Sequence, residues 1–273
     1  MKCGVGSYTK RLAIALAACK GIEVTVLTDR RVNYSGKDSG VNVLSIMNEW
    51  RLSEIFRGIK AVKKINPDVV HIQYPTQGYL GRLPTYIPLI MRLMRRPCVQ
   101  TWHEPILGRT GIYLSIGLQS LVIVKEELIR QLPELTQRVL SKIKTFWVPS
   151  ESLLPTIKLN AIERSEIRKQ YVSNDELMLV YYGFIAPLKG IESLLSIITK
   201  TKTKLFMACD FQSENSYHNT LLNQIESLGI ENKVVQMGFL PDEELATLLA
   251  VSDAVVLPFR DGARDWNTSI NAA

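Results

Sequence analysis

The stretch Leu177-Met-Leu-Val-Tyr-Tyr-Gly-Phe-Ile-Ala-Pro-Leu-Lys-Gly-Ile-Glu-Ser-Leu-Leu195 is typical of a buried strand followed by a glycine turn and a helix. Its first six residues form a continuous apolar run, as a strand covered on both faces requires. Gly183 ends that strand, and Lys189-Gly190 opens a helix with apolar residues at helical spacing. Such a junction presents unpaired amides and the positive end of a helix dipole. Together with the charge of Lys189 it predicts an anion site, although an ordinary turn with a solvated lysine explains the motif equally well.

Length and composition narrow the class of protein. The chain has 273 residues, which is long for one domain and sufficient for two. Its net charge of +7 and pI of about 9.2 suit a protein that meets phosphorylated ligands or an anionic membrane surface. The basic residues are scattered and no zinc spacing or nucleic-acid module is present, so we expect no nucleic-acid binding. Four widely separated cysteines indicate a reduced, cytoplasmic chain, and there is no membrane-spanning run or signal peptide.

The N-terminal half alternates strands and helices. We predict strands at Glu23–Thr28, Val41–Ile46, Asp68–Gln73, Cys98–Trp102 and Leu121–Val124, with a helix at Leu52–Val62. This βαβα order predicts a parallel sheet with helices on both faces. Ligands collect at the carboxyl ends of such strands, where Gln73, Tyr74 and His103 fall.

Two glycines near the start of the chain, Gly4 and Gly6, are expected to lead into a helix and to allow a ligand close to the backbone. Thr9 stands where the third glycine of the dinucleotide fingerprint would be. A nicotinamide cofactor is therefore not supported.

The three histidines differ in their surroundings. His71 lies inside an apolar strand and is predicted to be a buried structural residue. His103 directly follows a strand at the predicted ligand-binding edge, so we expect it to be functional. His218 lies on a polar helical stretch and is predicted to be solvated.

One basic cluster, Arg92, Arg95 and Arg96, lies beside the apolar run Pro88–Met91. Contact with a membrane surface is one interpretation of this cluster. A helix with a basic solvent face and an apolar core face is the simpler one.

The C-terminal half repeats the same alternation. The proline-broken stretch Trp147–Pro155 suits a linker, and we expect the change of domain between Pro149 and Ala161. The domains are therefore assigned to residues 1–155 and 156–273, facing each other across a cleft. Predicted elements that follow are strands Lys204–Cys209, Val234–Met237 and Ala254–Leu257 and helices Tyr217–Leu228 and Asp242–Val251.

Five segments in this order resemble the group 1 (family 4) glycosyltransferases. They are Gly4–Thr9, Asp68–Pro75, Thr101–Glu104, Tyr182–Gly190, and Gly238–Leu245 with Ser252–Phe259. The resemblance covers nearly the whole chain. It implies an α/β protein of GT-B architecture, with two facing Rossmann-like domains that have parallel sheets. The N-terminal domain would be on the acceptor side, and the C-terminal domain would bind the nucleotide sugar.

The same resemblance implies an enzyme of glycan biosynthesis. It would transfer a hexosyl-type sugar, with retention, from a nucleotide diphosphate sugar to a glycan or lipid-linked acceptor. No cofactor is expected beyond the donor, and the absence of an Asp-x-Asp motif fits independence from a bound metal. A cytoplasmic location follows, with peripheral contact at the inner face of a membrane left open.

By resemblance, the catalytic residues are His103, which contacts the donor sugar, and Asp261, which stands where the family has the first of two glutamates that hold sugar hydroxyls. The alternative for Asp261 is a turn residue before Gly262. Gln73 and Tyr74 would face the acceptor, and the loop of Gly238, Phe239 and Leu240 would hold the base. The expected donor-binding residues are Gly4, Gly6, Gly183, Lys189, Gly238, Phe239, Leu240 and Gly262.

The sequence also departs from the family pattern. Phe184 and Ala186 occupy positions where many members have an arginine, and Thr268–Ala273 holds no counterpart of the second glutamate. The first strand and the last strands and helices are also missing, so we expect a fragment or a broken gene. A catalytically silent relative is therefore the alternative function. A sugar-nucleotide epimerase is less favoured, because nothing marks a second acid/base pair.

Overall fold

A computed structural model describes residues 4–76, 78–150, 152, 154–260, 262 and 268–273, with the backbone alone at residue 268. The chain divides into two compact units, residues 1–150 and 151–273. The division falls inside the stretch Trp147–Pro155. Each unit is an α/β structure built on parallel strands.

The first unit carries two sheets. Its strands are β1 (Thr25–Asp29), β2 (Gly36–Asp38), β3 (Val41–Met47), β4 (Val70–Tyr74), β5 (Cys98–Trp102), β6 (Ser120–Ile123) and β7 (Lys144–Trp147). Its helices are α1 (Gly4–Ala17), α2 (Ile55–Ile65), α3 (Leu83–Leu93), α4 (Thr110–Ser115) and α5 (Glu134–Leu140), with short 3₁₀ turns at Arg30–Val32, Leu52–Glu54 and Glu126–Gln131. Strands β4-β5-β6-β7 form one parallel sheet, and β1-β3-β2 form the other.

Strand pairing in this unit differs from the single parallel sheet that the βαβα order predicts. Strand β3 pairs with β1 in parallel and with β2 antiparallel, and no ladder joins β1 to β4 within the described residues. A two-residue turn at Ser39 and Gly40, both with positive φ (48° and 83°), produces the unpredicted β2–β3 hairpin. Strand β4 is consequently the edge of its sheet.

The core of the first unit lies on the sheet β4-β5-β6-β7. Trp102, Leu114, Leu121 and Leu128 are fully buried together. Burying each such side chain stabilises the fold by roughly 1.5–3 kcal/mol. This packing fixes the carboxyl ends of β4, β5 and β6, which carry the candidate site.

The second unit has one parallel sheet in the order β10-β9-β8-β11. Its strands are β8 (Leu177–Tyr182), β9 (Thr203–Ala208), β10 (Val234–Gln236) and β11 (Ala254–Val255). Its helices are α6 (Ala161–Arg168), α7 (Ile191–Ile198), α8 (Ser216–Ser227), α9 (Asp242–Val251) and α10 (Thr268–Ala272), with a 3₁₀ turn at Pro187–Lys189. Strand β8 is central and packs against apolar clusters on both faces, as its continuous apolar run predicts. None of the helices in the described segments is long and apolar enough to cross a membrane.

Candidate functional site

In the first unit, His103 is the centre of a hydrogen-bonded group at the carboxyl ends of β4 and β5. Its Nε2 lies 2.9 Å from Oε1 of Gln73. The Gln73 Nε2 lies 3.3 Å from Nε2 of His71, which is also 2.8 Å from Oγ1 of Thr101. The backbone N–H of His103 donates to the carbonyl of Tyr74 at 2.9 Å. The imidazole is thereby held from both its ring and its backbone.

These contacts define the protonation of both rings. Because an amide oxygen only accepts, Nε2 of His103 must carry the proton that it donates to Gln73. The amide nitrogen of Gln73 only donates, so Nε2 of His71 accepts from it and from the Thr101 hydroxyl. Within the part of the chain that is described, Nδ1 of His103 has no hydrogen-bond partner. It therefore presents a lone pair.

The surroundings of His103 keep its ring neutral. Burial, together with repulsion from His71 and Lys125, lowers the pKa of His103 to about 4. Lys125, just after β6, is itself buried, and its Nζ lies 2.6 Å from Oε2 of Glu104. The ring of Tyr8 packs edge-on against the His103 ring, with 4.8 Å between centroids. The group is thus an uncharged imidazole beside an ion pair in which the lysine is buried and the glutamate is exposed.

The two N-terminal glycines lie differently from the prediction. Helix α1 begins at Gly4, so Gly4 and Gly6 belong to its first turn and not to a loop that precedes it. Glycine tolerates helical φ and ψ as well as turns, and the sequence alone did not separate the two. Because Tyr8 contacts His103, this first turn lies beside the His103 group.

Gln73 and Tyr74, predicted to face an acceptor, both lie at the end of β4. Gln73 is only 8% exposed, and both ends of its amide contact histidines. Tyr74 stacks against Tyr79, with ring centroids 6.2 Å apart. The acceptor-side role of the two residues stays a prediction. Gln73 has in addition a structural role that sequence reasoning missed, which is to orient His103.

In the second unit, the β8–α7 junction has the predicted strand, turn and helix. Gly190 has φ of +67°, and a Cβ at this position would lie 2.1 Å from the carbonyl oxygen of Pro258. Only glycine fits this left-handed position beneath the loop that follows β11. Lys189 is half-buried, and its Nζ lies over the Phe259 ring, 4.2 Å from the centroid. Burial lowers the pKa of this lysine.

A second cation, Arg260, lies beside the junction and was not singled out from the sequence. Its backbone N–H donates to the carbonyl of Leu188 at 3.0 Å, and its side chain pairs with Glu192 of α7 at 3.2 Å. A guanidinium therefore lies beside the β8–α7 junction. The sequence had indicated none there, because Phe184 and Ala186 occupy the positions where many family members have an arginine. Gly183, which ends β8, has φ of +118°.

The other predicted donor-binding residues follow β10 and β11. Gly238 has φ of +67°, and Phe239 is 57% exposed at the carboxyl end of the sheet. Leu240 packs against the core that contains Tyr182 and Phe206. Gly262 is exposed with φ of +79°, whereas Asp261, the second predicted catalytic residue, lies outside the described residues.

Two histidine predictions are wrong about burial. His71 is exposed, on the edge strand β4, although its ring nitrogen has the hydrogen bond expected of a structural histidine. His218 is buried, and its Nδ1 accepts from the backbone N–H of Gln212 at 2.9 Å. Among the residues with described positions, no three His, Cys, Asp or Glu side chains are grouped as metal ligands would be.

Solved structures with the same architecture are two-domain glycosyltransferases. Sucrose-phosphate synthase from Thermosynechococcus elongatus has a TM-score of 0.70 at 15% identity, covering 99% of this chain and 73% of that one. A glycosyltransferase from Rickettsia africae has a TM-score of 0.61 at 16% identity, covering 93% and 67%. HepE of Anabaena, crystallised with UDP, has a TM-score of 0.57 at 16% identity, covering 80% and 60%. The fold is therefore of the GT-B class, with parallel α/β sheets in two domains.

Sequence comparison defines the family. Residues 3–183 match the glycosyl transferase 4-like domain, and residues 163–263 match glycosyl transferases group 1. An uncharacterized glycosyltransferase of Methanocaldococcus jannaschii is 26% identical over 93% of this chain and 70% of its own length. The chain belongs to the group 1 glycosyltransferases, as the order of its five segments predicted.

Proposed function

We propose that this protein is a retaining glycosyltransferase. It moves a hexosyl group from a nucleotide diphosphate sugar to a hydroxyl of a glycan or lipid-linked acceptor, without a bound metal ion. The observation that carries the proposal is the neutral imidazole of His103, held with its Nδ1 lone pair unbonded within the described residues. Two structures of the same fold, HepE and a trehalose 6-phosphate enzyme from E. coli, contain UDP and UDP-2-fluoro glucose respectively. A UDP sugar is therefore the first donor to test.

The diphosphate is assigned to the β8–α7 junction. When the bond between the anomeric carbon and the phosphate oxygen breaks, its electron pair stays on the diphosphate, whose negative charge grows. Lys189, Arg260 and the first amides of α7 supply positive charge there. These groups supply the positive charge that a metal ion would otherwise provide, and the sequence lacks an Asp-x-Asp motif. With retention, the acceptor oxygen enters on the face that the diphosphate leaves, and its proton passes to the departing phosphate oxygen.

His103 is assigned to the sugar. Positive charge develops on the anomeric carbon as the bond breaks, and a protonated imidazole nearby would repel it. A neutral ring with a lone pair on Nδ1 accepts a hydrogen bond from a sugar hydroxyl instead. The low pKa of His103 keeps the ring in this form at neutral pH. The neighbouring charge of Lys125 is offset by Glu104.

The base-binding site, the acceptor side and the location complete the proposal. The exposed ring of Phe239 offers a stacking surface for the nucleotide base. Tyr74 and Gln73 remain the proposed acceptor side. Cys98 and Cys209 are buried free thiols, which suits a reducing, cytoplasmic location.

Transfer from a set of nucleotide sugars tests the proposal. We expect sugar release with UDP sugars both in a chelator and with added divalent metal, and a product of retained anomeric configuration by NMR. His103→Ala should lower kcat ten- to a thousandfold, about 1.4–4 kcal/mol, with little change in the donor KM. The exposed substitution Arg138→Ala in the same unit serves as the control. Activity that requires metal, an inverted product, or wild-type kcat in His103→Ala would each contradict the proposal.

A catalytically silent relative is the alternative, and one observation favours it. The C-terminal residues 268–273 contain no carboxylate to match the second glutamate of the family. A silent relative would bind nucleotide at the β8–α7 junction and release no sugar from any donor. Calorimetry with UDP alongside the transfer assay separates the two functions.

A further inference from the structure

The outer face of helix α3 combines exposed leucines with arginines. Leu93 is 76% exposed, and Leu89, one turn earlier, is also exposed. Arg92 lies between them on the helix, and Arg95 follows the last turn. The sequence had favoured a helix with a basic solvent face and an apolar core face. The exposed leucines show that the solvent side is itself partly apolar.

The neighbouring helix α4 extends this surface. Tyr113 and Ile116 are exposed, and the rings of Tyr86 on α3 and Tyr113 on α4 lie 6.1 Å apart. A Cβ on Gly117 would lie 2.5 Å from the carbonyl oxygen of Pro88 and 2.9 Å from Cβ of Arg92. Ile116 is therefore next to the arginine side of α3. We call this surface the α3–α4 face and define it by its residues Leu89, Arg92, Leu93, Arg95, Tyr113 and Ile116.

Positive charge on this face is concentrated around an open cavity of about 370 Å³. Arg92, Arg95, Arg96 and Gln119 supply its polar lining. Arg96 donates to the carbonyl oxygen of Pro67 at 3.1 Å and to the side chain of Asn66, neither of which carries charge. Over the described residues, Arg92 and Arg95 form no ion pair with any carboxylate. The segment 82–119 contains five arginines and a single carboxylate, Glu104.

Glu104 does not neutralise the α3–α4 face. It is paired with Lys125 at the carboxyl end of the sheet, whereas the cavity borders Pro97 and Gln119, which precede the amino ends of β5 and β6. The charge of the face is therefore available to an external anion.

We propose that the α3–α4 face docks on an anionic phospholipid membrane, with lipid phosphates at the arginines and the exposed leucines in the acyl boundary. Apolar side chains beside unneutralised cations on one surface are the features that bind such an interface. A small soluble anion would use the arginines but not Leu93. This docking does not depend on sugar transfer, so its test needs no activity.

Vesicle binding tests the proposal on the full chain. Vesicles of phosphatidylcholine alone and of phosphatidylcholine mixed with phosphatidylglycerol are sedimented with the protein at low and high salt. We expect binding to the anionic vesicles that weakens with salt, and little binding to the neutral ones. The double variant Arg92→Gln, Arg95→Gln should bind roughly thirtyfold more weakly, because each cation near such a surface contributes roughly a fivefold factor.

Matched variants separate docking by this face from general electrostatic attraction. Lys63→Gln, Lys64→Gln removes the same charge from exposed positions of α2 and should weaken binding less than about fivefold. Leu93→Gln should reduce the binding that persists at high salt, whereas Ile162→Gln, at an exposed position of α6, should leave it unchanged. All these positions are exposed, and thermal unfolding confirms that each variant folds.

Three results would overturn the proposal. Equal losses of vesicle binding in the arginine and lysine variants would show that net charge alone explains the binding. Vesicle binding at high salt that does not change in Leu93→Gln would show that Leu93 makes no apolar contact with the membrane. Tight binding of glycerol 3-phosphate by calorimetry, without vesicle binding, would assign the cavity to a soluble anion.

Discussion

Replacing Gln73 by glutamate should raise the pKa of His103, because it puts a carboxylate where the amide oxygen now accepts from Nε2 at 2.9 Å. Two unit charges about 4 Å apart interact by about 1 kcal/mol in water and about 4 kcal/mol at an effective dielectric of 20. Since 1.36 kcal/mol corresponds to one pKa unit, the shift is roughly 0.7–3 units. Starting from the wild-type pKa of about 4, we expect a pKa of about 5–7 in Gln73→Glu.

NMR of histidine-labelled protein measures this directly, because the chain contains only three histidines. The wild type should show His103 as the neutral tautomer protonated at Nε2 and His71 protonated at Nδ1. His71 also contacts Gln73 and should shift with it, whereas His218, in the second unit, is the internal control. A wild-type His103 that titrates near 6.5, that carries its proton on Nδ1, or whose pKa is the same in Gln73→Glu would refute the hydrogen-bond scheme.

Three further predictions concern stability and binding. Because the pKa of His103 is about 4 in the folded protein and about 6.5 in the unfolded chain, the unfolded chain binds more protons below pH 6.5. The free energy of unfolding, measured by urea titration, should therefore fall between pH 6.5 and pH 4 by roughly 2–3 kcal/mol more in the wild type than in His103→Asn. Gly190→Ala should cost roughly 2–4 kcal/mol because of its backbone clash, and Gly229→Ala, with a similar φ of +63° but open space, only about 1–2. If the two variants lost nearly the same stability, the backbone clash would not be the cause of the loss at Gly190. Lys189→Met should weaken UDP binding by roughly 1.5–3 kcal/mol, with exposed Lys200→Met as the control. If calorimetry gave the wild type and Lys189→Met the same affinity for UDP, the phosphates would bind elsewhere.

The fold was predictable where side chains on both faces of an element are buried or where its ends are capped. Strand β8 was predicted residue for residue, because a central parallel strand must be continuously apolar. Helix α9 was also predicted at its true bounds, since Pro241 and three acidic residues mark its start. Strands β2 and β7 were missed because all their residues are exposed. They join their sheets through backbone hydrogen bonds, which leave no pattern of buried side chains.

The site was predictable by position but not by partner. The end of β5 identified His103, and the end of β4 identified Gln73, because parallel strands end at a common edge. That the two side chains bond each other depends on their rotamers, which the sequence does not specify. The burial of His218 likewise depends on a loop that brings the Gln212 amide to its ring.

Arg260 shows how a missing charge can be supplied from elsewhere in the chain. The loop after β11 lies against the β8–α7 junction, since Arg260 donates its N–H to Leu188 and Gly190 leaves room for Pro258. The guanidinium is now paired with Glu192, and more than half of the arginine side chain is exposed. Such a pair contributes less than about 1 kcal/mol, whereas a charge-assisted bond to phosphate contributes roughly 1.5–3 kcal/mol. Exchanging Glu192 for a diphosphate is therefore favourable, and the substitutions at positions 184 and 186 do not by themselves remove a guanidinium from the proposed donor site.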